Sequence, residues 1–282
     1  MRNVVELSVR KVNGAGVHEA ELDALAVEEP LEIRLDVAID HEPRRVVRTV
    51  SVTMRTPGDD FDLAAGFLFT EGIVRGAHDI ASMRHCGRVT GDASFENSVC
   101  VEIRAGAAVD FARLERHLYT SSSCGVCGKT SLDAVLTSAA YAIARGAPRV
   151  EASAVHAMQA RLRASQVSFA RTGGLHAAAL FDRDGALLSF REDVGRHNAV
   201  DKLLGAELRA GRVPLDGRVL FLSGRASFEL VQKARMAGIA FVAAVGAPSS
   251  LAVELADASD MTLLGFVRDG RFNVYAGEER IR

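Results

Sequence analysis

Two cysteines three residues apart, Cys124 and Cys127, stand in the run Ser121-Ser122-Ser123-Cys124-Gly125-Val126-Cys127-Gly128-Lys129-Thr130. A thiol attacks, takes up sulfur or binds a metal as its thiolate. A neighbouring ammonium and the partial positive charge at a helix N-terminus both favour that form. Lys129 is the ammonium. A helix is expected to follow, because Thr130 and Asp133 fit a capping box and Leu132, Val135, Leu136, Ala139 and Ile143 recur at helical spacing.

Three chemistries compete for this pair, beside the plain reading of a buried structural one. Structural zinc usually takes four ligands, often as two CxxC-like pairs. The other cysteines, Cys86 and Cys100, have 13 residues between them, and His85 is the one extra donor nearby. A zinc deaminase carries a Cys/His-x-Glu element followed by P-C-x-x-C. Cys100-Val101-Glu102 ahead of Cys124-Gly125-Val126-Cys127 approaches that pattern, but the first element alternates like a strand and Ser123 replaces the proline. Metal-free sulfur or redox chemistry asks for less: a low-pKa thiolate accepts a sulfane sulfur as a persulfide, and a neighbouring thiol resolves or protects it. Gly125 and Gly128 leave the backbone free to bring such a thiol up to a bulky partner. Gly128-Lys129-Thr130 is not a P-loop, since Ser123 occupies its first glycine position and no strand leads into it.

A ligand in an open α/β sheet lies beyond the carboxyl ends of the strands, against helix N-termini that attract phosphate. Two segments fit: Ser223-Gly224-Arg225-Ala226-Ser227 and Gly246-Ala247-Pro248-Ser249-Ser250. Either alone also reads as ordinary helix capping. With Arg268 and Arg271 nearby in sequence, a polyphosphate or nucleotide becomes the better expectation. Arg191-Glu192-Asp193-Val194-Gly195-Arg196-His197-Asn198 is too polar for a simple connector and leads into a helix carrying Lys202, which makes His197 a further candidate. His176, inside an apolar strand, reads as a hydrogen-bonded core residue.

The positioning elements are partly legible. Residues 1–115 look β-rich: Leu31–Val37 alternates apolar and polar, Val46–Met54 and Ser98–Ile103 read as strands, and a helix opens near Asp59 and runs toward Gly72. Residues 116–282 change to a strand–helix rhythm. Buried strands are expected at Leu175–Phe181, Val219–Ser223 and Ile239–Val245, with helices over Asn198–Arg209, Ala226–Ala237 and Ser249–Ala258. A hairpin of Leu263–Val267 and Phe272–Tyr275 turns at Asp269-Gly270. This alternation implies a parallel or mixed sheet covered on both faces.

The whole chain, 282 residues with 25% charged residues and a formal net charge of −2, is long enough for one large or two modest domains. Its near-neutral balance argues against a dedicated nucleic-acid binder. No apolar run approaches the roughly 20 residues that span a bilayer, and the start lacks the apolar core of a secretion signal. A cytoplasmic location is expected, where the four cysteines stay reduced.

Several long motifs in one order also resemble a known family. They are Met54-Arg55-Thr56-Pro57-Gly58-Asp59-Asp60, Ser122–Lys129, Thr172-Gly173-Gly174-Leu175-His176-Ala177-Ala178, Arg191–Lys202, Ser223–Glu229 and Ala244–Ser250. Together they are similar to the FdhD family of formate dehydrogenase accessory sulfurtransferases, along nearly the whole chain. The resemblance implies a cytidine-deaminase-like mixed sheet flanked by helices, with a smaller β-rich N-terminal subdomain. That relationship accounts for the Cys-x-Glu echo without requiring the metal. It further implies a homodimeric sulfur carrier. A cysteine desulfurase loads a persulfide, and the sulfur passes to the molybdenum bis(molybdopterin guanine dinucleotide) cofactor, which then enters formate dehydrogenase. Carried over by position, Cys124 is the persulfide cysteine, Cys127 its partner, and Phe266, Val267, Arg268, Asp269, Gly270 and Arg271 meet the cofactor, which a guanine nucleotide should mimic. Ser223, Gly224, Arg225 and His197 are added from the residues themselves. The alternatives kept open are the zinc deaminase and a cofactor-holding chaperone that moves no sulfur.

Overall fold

A computed structural model describes residues 3–14, 16–38, 45–87, 97–107, 109 and 141–282. The Cys124–Cys127 loop and the helix expected from Thr130 through residue 140 lie outside these residues. Ile143, assigned to the end of that helix, is described and is not helical.

An exposed antiparallel hairpin opens the chain, β1 (Val4–Asn13) with β2 (Gly16–Ala26). A four-stranded sheet follows, in the order β4-β3-β6-β5, from β3 (Glu29–Ala38), β4 (Arg45–Arg55), β5 (Ile80–His85) and β6 (Ser98–Ile103). The alternation read in β3 is real: Leu31, Ile33 and Leu35 are fully buried on one face. β3 and β6 run parallel, and such neighbours need a crossover. The connection between them includes α1 (Asp60–Thr70), a helix with Leu63, Ala64, Ala65, Leu68 and Phe69 all buried.

The second sheet has six strands in the order β12-β11-β10-β9-β7-β8. Its members are β7 (His176–Phe181), β8 (Leu187–Asp193), β9 (Val219–Leu222), β10 (Phe241–Ala244), β11 (Thr262–Arg268) and β12 (Arg271–Ala276). The central strands β9, β10 and β11 are parallel, and the outer pairs are antiparallel. This is the expected mixed sheet. Its strands read as unbroken apolar runs because both faces are covered. Phe181, Phe221 and Phe241 pack against Val155, Met158 and Leu162 of α2 (Ala152–Ser165). Leu180, Leu220 and Val242 join a core that extends through α1 and α4 (Arg196–Arg209) to β3 and β6. A short helix, α3 (Val167–Thr172), precedes β7, and α5 (Phe228–Met236) and α6 (Ser250–Ala258) follow β9 and β10.

The two sheets meet through α1 and α4, which cross at glycine. A Cβ on Gly66 would fall 2.6 Å from the Asp201 carbonyl carbon, and one on Gly205 would fall 2.6 Å from the Gly66 nitrogen. Beside this crossing, the buried Lys233 ammonium of α5 binds Asp201 at 2.9 Å, Thr70 at 2.8 Å and Glu71 at 3.2 Å. Burial alone would lower that lysine's pKa. Asp201 and Glu71 outweigh it and hold the group above its ordinary value.

Candidate functional site

The parallel order of β9, β10 and β11 puts their carboxyl ends side by side, and the candidate segments leave from them. Ser223, Gly224 and Arg225 follow β9. The Ser223 amide donates to the Ala177 carbonyl at 3.0 Å, and the Ser223 hydroxyl accepts from the Ala177 amide at 2.8 Å, so this side chain extends the ladder to β7. The Gly246 amide after β10 donates to the Gly224 carbonyl at 2.9 Å, and the Phe266 amide of β11 donates to the Gly246 carbonyl at 3.2 Å. Three loops are thereby laced into one rim. The helices that open there, α5 and α6, turn their first amides outward, as helix N-termini must. Ser249 caps α6 by accepting from the Ala252 amide at 3.3 Å, which is the plain capping role weighed for this loop.

Phe266 is the strained residue of the rim. Its φ of 55° is left-handed, a region that bulky side chains avoid, and it sits where the β11–β12 register slips between Gly265 and Arg268. The bulge leaves Phe266 half-buried, with the Arg268 guanidinium 5.9 Å from its ring centre. Asp269 and Gly270 form the expected turn with φ of 54° and 70°. Arg225, Arg268 and Arg271 are exposed. Among the described residues none of these three has a carboxylate within ion-pairing distance, which leaves fixed charge available to an anion. Val267 is 1% exposed and belongs to the core, so only its backbone can serve a ligand.

His197 reaches the same edge from α4. Its Nε2 lies 3.5 Å from the Ser227 hydroxyl and 3.8 Å from the Glu229 carboxylate, both in the first turn of α5 or just before it. The His197 contact holds the Glu229 carboxyl well below the usual range, at about 2. His176 corrects the sequence expectation of a hydrogen-bonded core residue: it is half-buried at the start of β7, beside Gly224. A Cβ on Gly224 would come within 3.3 Å of its Nδ1, so glycine is what lets this imidazole lie against the loop. Burial, then the Arg196 guanidinium, pushes its pKa down.

Sequence reasoning sensed but did not resolve what fixes this edge. Arg191–Asp193 is the end of strand β8, and Asp193 is fully buried. Its carboxylate pairs with Lys202 Nζ at 2.8 Å and accepts from the Thr56 amide at 3.1 Å, the Gly195 amide at 2.8 Å and Asn198 Nδ2 at 3.2 Å. Lys202 also donates to the Thr56 carbonyl at 2.7 Å, and Asn198 to the Met54 carbonyl at 2.7 Å. These bonds fasten the loop after β4 to the start of α4, one residue from His197. The polarity was visible; the unread signal was its spacing, with Asp193, Asn198 and Lys202 five and four residues apart around a helix start, bracketing a buried network.

Cys100 and Glu102 lie on strand β6, as their alternation indicated, not on the helix that a deaminase element requires. Cys100 is buried, and burial pushes its thiol up to about 11, the direction of an inert cysteine. Among the described residues no group of three histidine, cysteine or acidic side chains is placed to hold a metal ion.

Comparison with known proteins identifies the family. The model of the FdhD/NarQ family matches residues 26–282. The sulfur carrier protein FdhD of Streptomyces avermitilis is 53% identical over 261 residues, covering 92% of this chain and 89% of that one. Its namesake in Mycobacterium tuberculosis is 51% identical, with 92% of each chain covered. The crystal structure of a candidate formate dehydrogenase accessory protein from Desulfotalea psychrophila superposes with a TM-score of 0.74 over the full length of both chains, at 23% identity, and so shares the fold. The chain belongs to the FdhD/NarQ family.

Proposed function

We propose that this protein is a cytoplasmic, homodimeric sulfur carrier in the service of formate dehydrogenase. The observation that carries the reading is identity of about half to chains named sulfur carrier proteins along nine-tenths of its length, in a sequence that carries the Cys124–Cys127 pair. In this reading the Cys124 thiolate attacks the sulfane sulfur of a cysteine desulfurase persulfide, and the donor cysteine leaves as its thiolate. Cys127 then attacks the Cys124 sulfur and expels hydrosulfide to the molybdenum of the bis(molybdopterin guanine dinucleotide) substrate. The sulfane atom is reduced, the two thiols become a disulfide, and a dithiol reductant resets the pair.

The described residues support the binding half of that task. A cofactor with two dinucleotide arms carries several phosphates, and the rim offers Arg225, Arg268 and Arg271 beside two helix N-termini. Phe266 offers an aromatic face for a guanine base. Incubation with a desulfurase and cysteine should add about 32 daltons, the mass of one sulfur atom, to the peptide carrying Cys124. Full formate dehydrogenase activity from Cys124→Ala, in cells lacking the native gene, would sink the proposal. Retained activity without labelled sulfur moving would favour the chaperone reading instead.

A further inference from the structure

The opening hairpin is a two-stranded sheet by itself, and such ribbons are marginal in water. Among the described residues no strand covers the outer edge of β1. Val5 and Leu7 on β1 are 41% and 48% exposed, and Leu22 and Leu25 on β2 are 68% and 39% exposed. A long edge with this much apolar surface is a template for another strand.

The register tells which backbone groups are free. The Val27 amide donates to the Asn3 carbonyl at 3.0 Å, directly across the ladder. Backbone groups alternate in direction along a strand, so Asn3, Val5, Leu7 and Val9 face β2, and Val4, Glu6, Ser8, Arg10 and Val12 turn theirs outward. The one register slip, beyond Arg10, places its extra residue on β2 and leaves β1 regular.

We infer that this edge pairs with β1 of a second copy, antiparallel about a twofold axis at Ser8. That register sets Ser8 opposite Ser8, Leu7 opposite Val9 and Val4 opposite Val12, and it places Glu6 opposite Arg10 twice. All the outward backbone groups then meet, Arg10 of each copy faces a Glu6 that Arg171 of its own chain also approaches at 3.7 Å, and the seam becomes the middle of a four-stranded sheet. Self-complementarity is what singles out a second copy over an unrelated strand: Glu6 and Arg10 stand at equal distances from Ser8, and the remaining charge, Lys11, is already paired with Glu21 of β2 at 3.0 Å. The inference rests on the homodimer proposed above and assigns it a surface.

Sedimentation velocity on the full chain across a concentration series tests it. Ser8→Pro removes an outward amide and spares the ladder to β2, so it should weaken the dimer at least about tenfold with no change in the far-ultraviolet spectrum. Arg10→Glu should weaken it similarly, and the exchange Glu6→Arg with Arg10→Glu should bring it back. A dimer indifferent to Ser8→Pro overturns the seam and keeps the homodimer. A chain that stays monomeric at every concentration overturns both, as does any result in which the edge takes only another protein. Weakening by Ser8→Pro without rescue by the exchange overturns this register.

Discussion

Replacing Asp193 by asparagine isolates the bond that holds the site edge together. The asparagine oxygen can still accept from Gly195 and Asn198, which bind Oδ1 in the native protein. The new amide group then faces the Thr56 amide and the Lys202 ammonium, donors against donors, where the carboxylate accepted at 3.1 Å and 2.8 Å. Lys202 is 1% exposed and would keep only the Thr56 carbonyl. A buried charge stripped of its partner costs about 3–5 kcal/mol and an unsatisfied amide about 1–3, and the two overlap because both donors serve one oxygen. A loss of about 4 kcal/mol is expected, a large share of the 5–15 kcal/mol typical of a domain. Urea unfolding should show it as a lower midpoint at unchanged slope. Lys202→Met in the same chain removes the stranded charge, so the double variant should be more stable than Asp193→Asn alone. A single variant within about 1 kcal/mol of the native protein, or two substitutions that simply add, would refute the idea that this pair fastens β8 and α4 to the loop after β4.

Three further outcomes are expected. Gly66→Ala gains about 1 kcal/mol of helix propensity but forces α1 off the Asp201 carbonyl, at a cost of about 3 kcal/mol; a melting temperature lower by about 4–8 °C should follow, and no change would show that the crossing can yield. Glu229 has a folded-state pKa of about 2 against an ordinary 4.5, so its ionised form is the one the fold favours. Its contribution is full above pH 4.5 and disappears as pH falls toward 2. That displacement corresponds to at most about 3.4 kcal/mol, less after screening of a side chain that is 20% exposed. Glu229→Gln should therefore cost about 1–2 kcal/mol at neutral pH and flatten the acid limb of stability, and a parallel acid limb would count against the His197 contact. A guanine nucleotide should raise the melting temperature of the native chain, and Arg271→Ala should weaken its binding by about 1.5–3 kcal/mol, the worth of a charge-assisted hydrogen bond, and so reduce that rise; equal stabilisation would remove Arg271 from the binding surface.

Where burial leaves a pattern in the sequence, the fold was legible. Leu31, Ile33 and Leu35 mark β3 because one of its faces meets the core, and β9 and β10 are unbroken apolar runs because both faces are covered. The strands that escaped notice are those that burial does not organise. β1 and β2 expose apolar and charged residues alike, β5 buries neither face fully, and β8 ends in Arg191-Glu192-Asp193, whose charges hide a strand end. α2 presents only Val155, Met158 and Leu162 to the core on an otherwise polar surface. At the site, glycine and charge were visible as motifs, but the partners were not. Nothing local to Lys202 announces that the Thr56 carbonyl, 146 positions earlier, accepts its hydrogen bond, and nothing local to His176 shows that Gly224 will lie against it.

The position of the rim follows from what each part of the molecule can tolerate. The interior of the six-stranded sheet is apolar and close-packed, so free cations cannot reside there; the end of the parallel strands is where backbone amides and side chains must turn to solvent in any case. The chain as a whole is slightly acidic, at −2, yet Arg225, Arg268 and Arg271 gather at this edge without carboxylate partners among the described residues. Elsewhere several described arginines fasten the fold, Arg55 on Asp60 and Glu29, Arg212 on Glu207 and Arg191 on Asp59 and Asp62, while others such as Arg48 and Arg218 stand exposed and, like the rim three, without a carboxylate partner among the described residues. Leaving three guanidinium groups unpaired at one place raises their mutual repulsion and contributes nothing to folding, whereas an arriving polyphosphate relieves that repulsion and takes their donors. The Phe266 backbone adds the same signature, because a left-handed phenylalanine is about 1–2 kcal/mol less favourable than an ordinary strand residue and only the bulge requires it. An edge where charge and backbone are both held away from their own optimum is what the proposed cofactor site requires, and the hydrogen bonds from Gly246 to Gly224 and from Phe266 to Gly246 are what tie its three loops together.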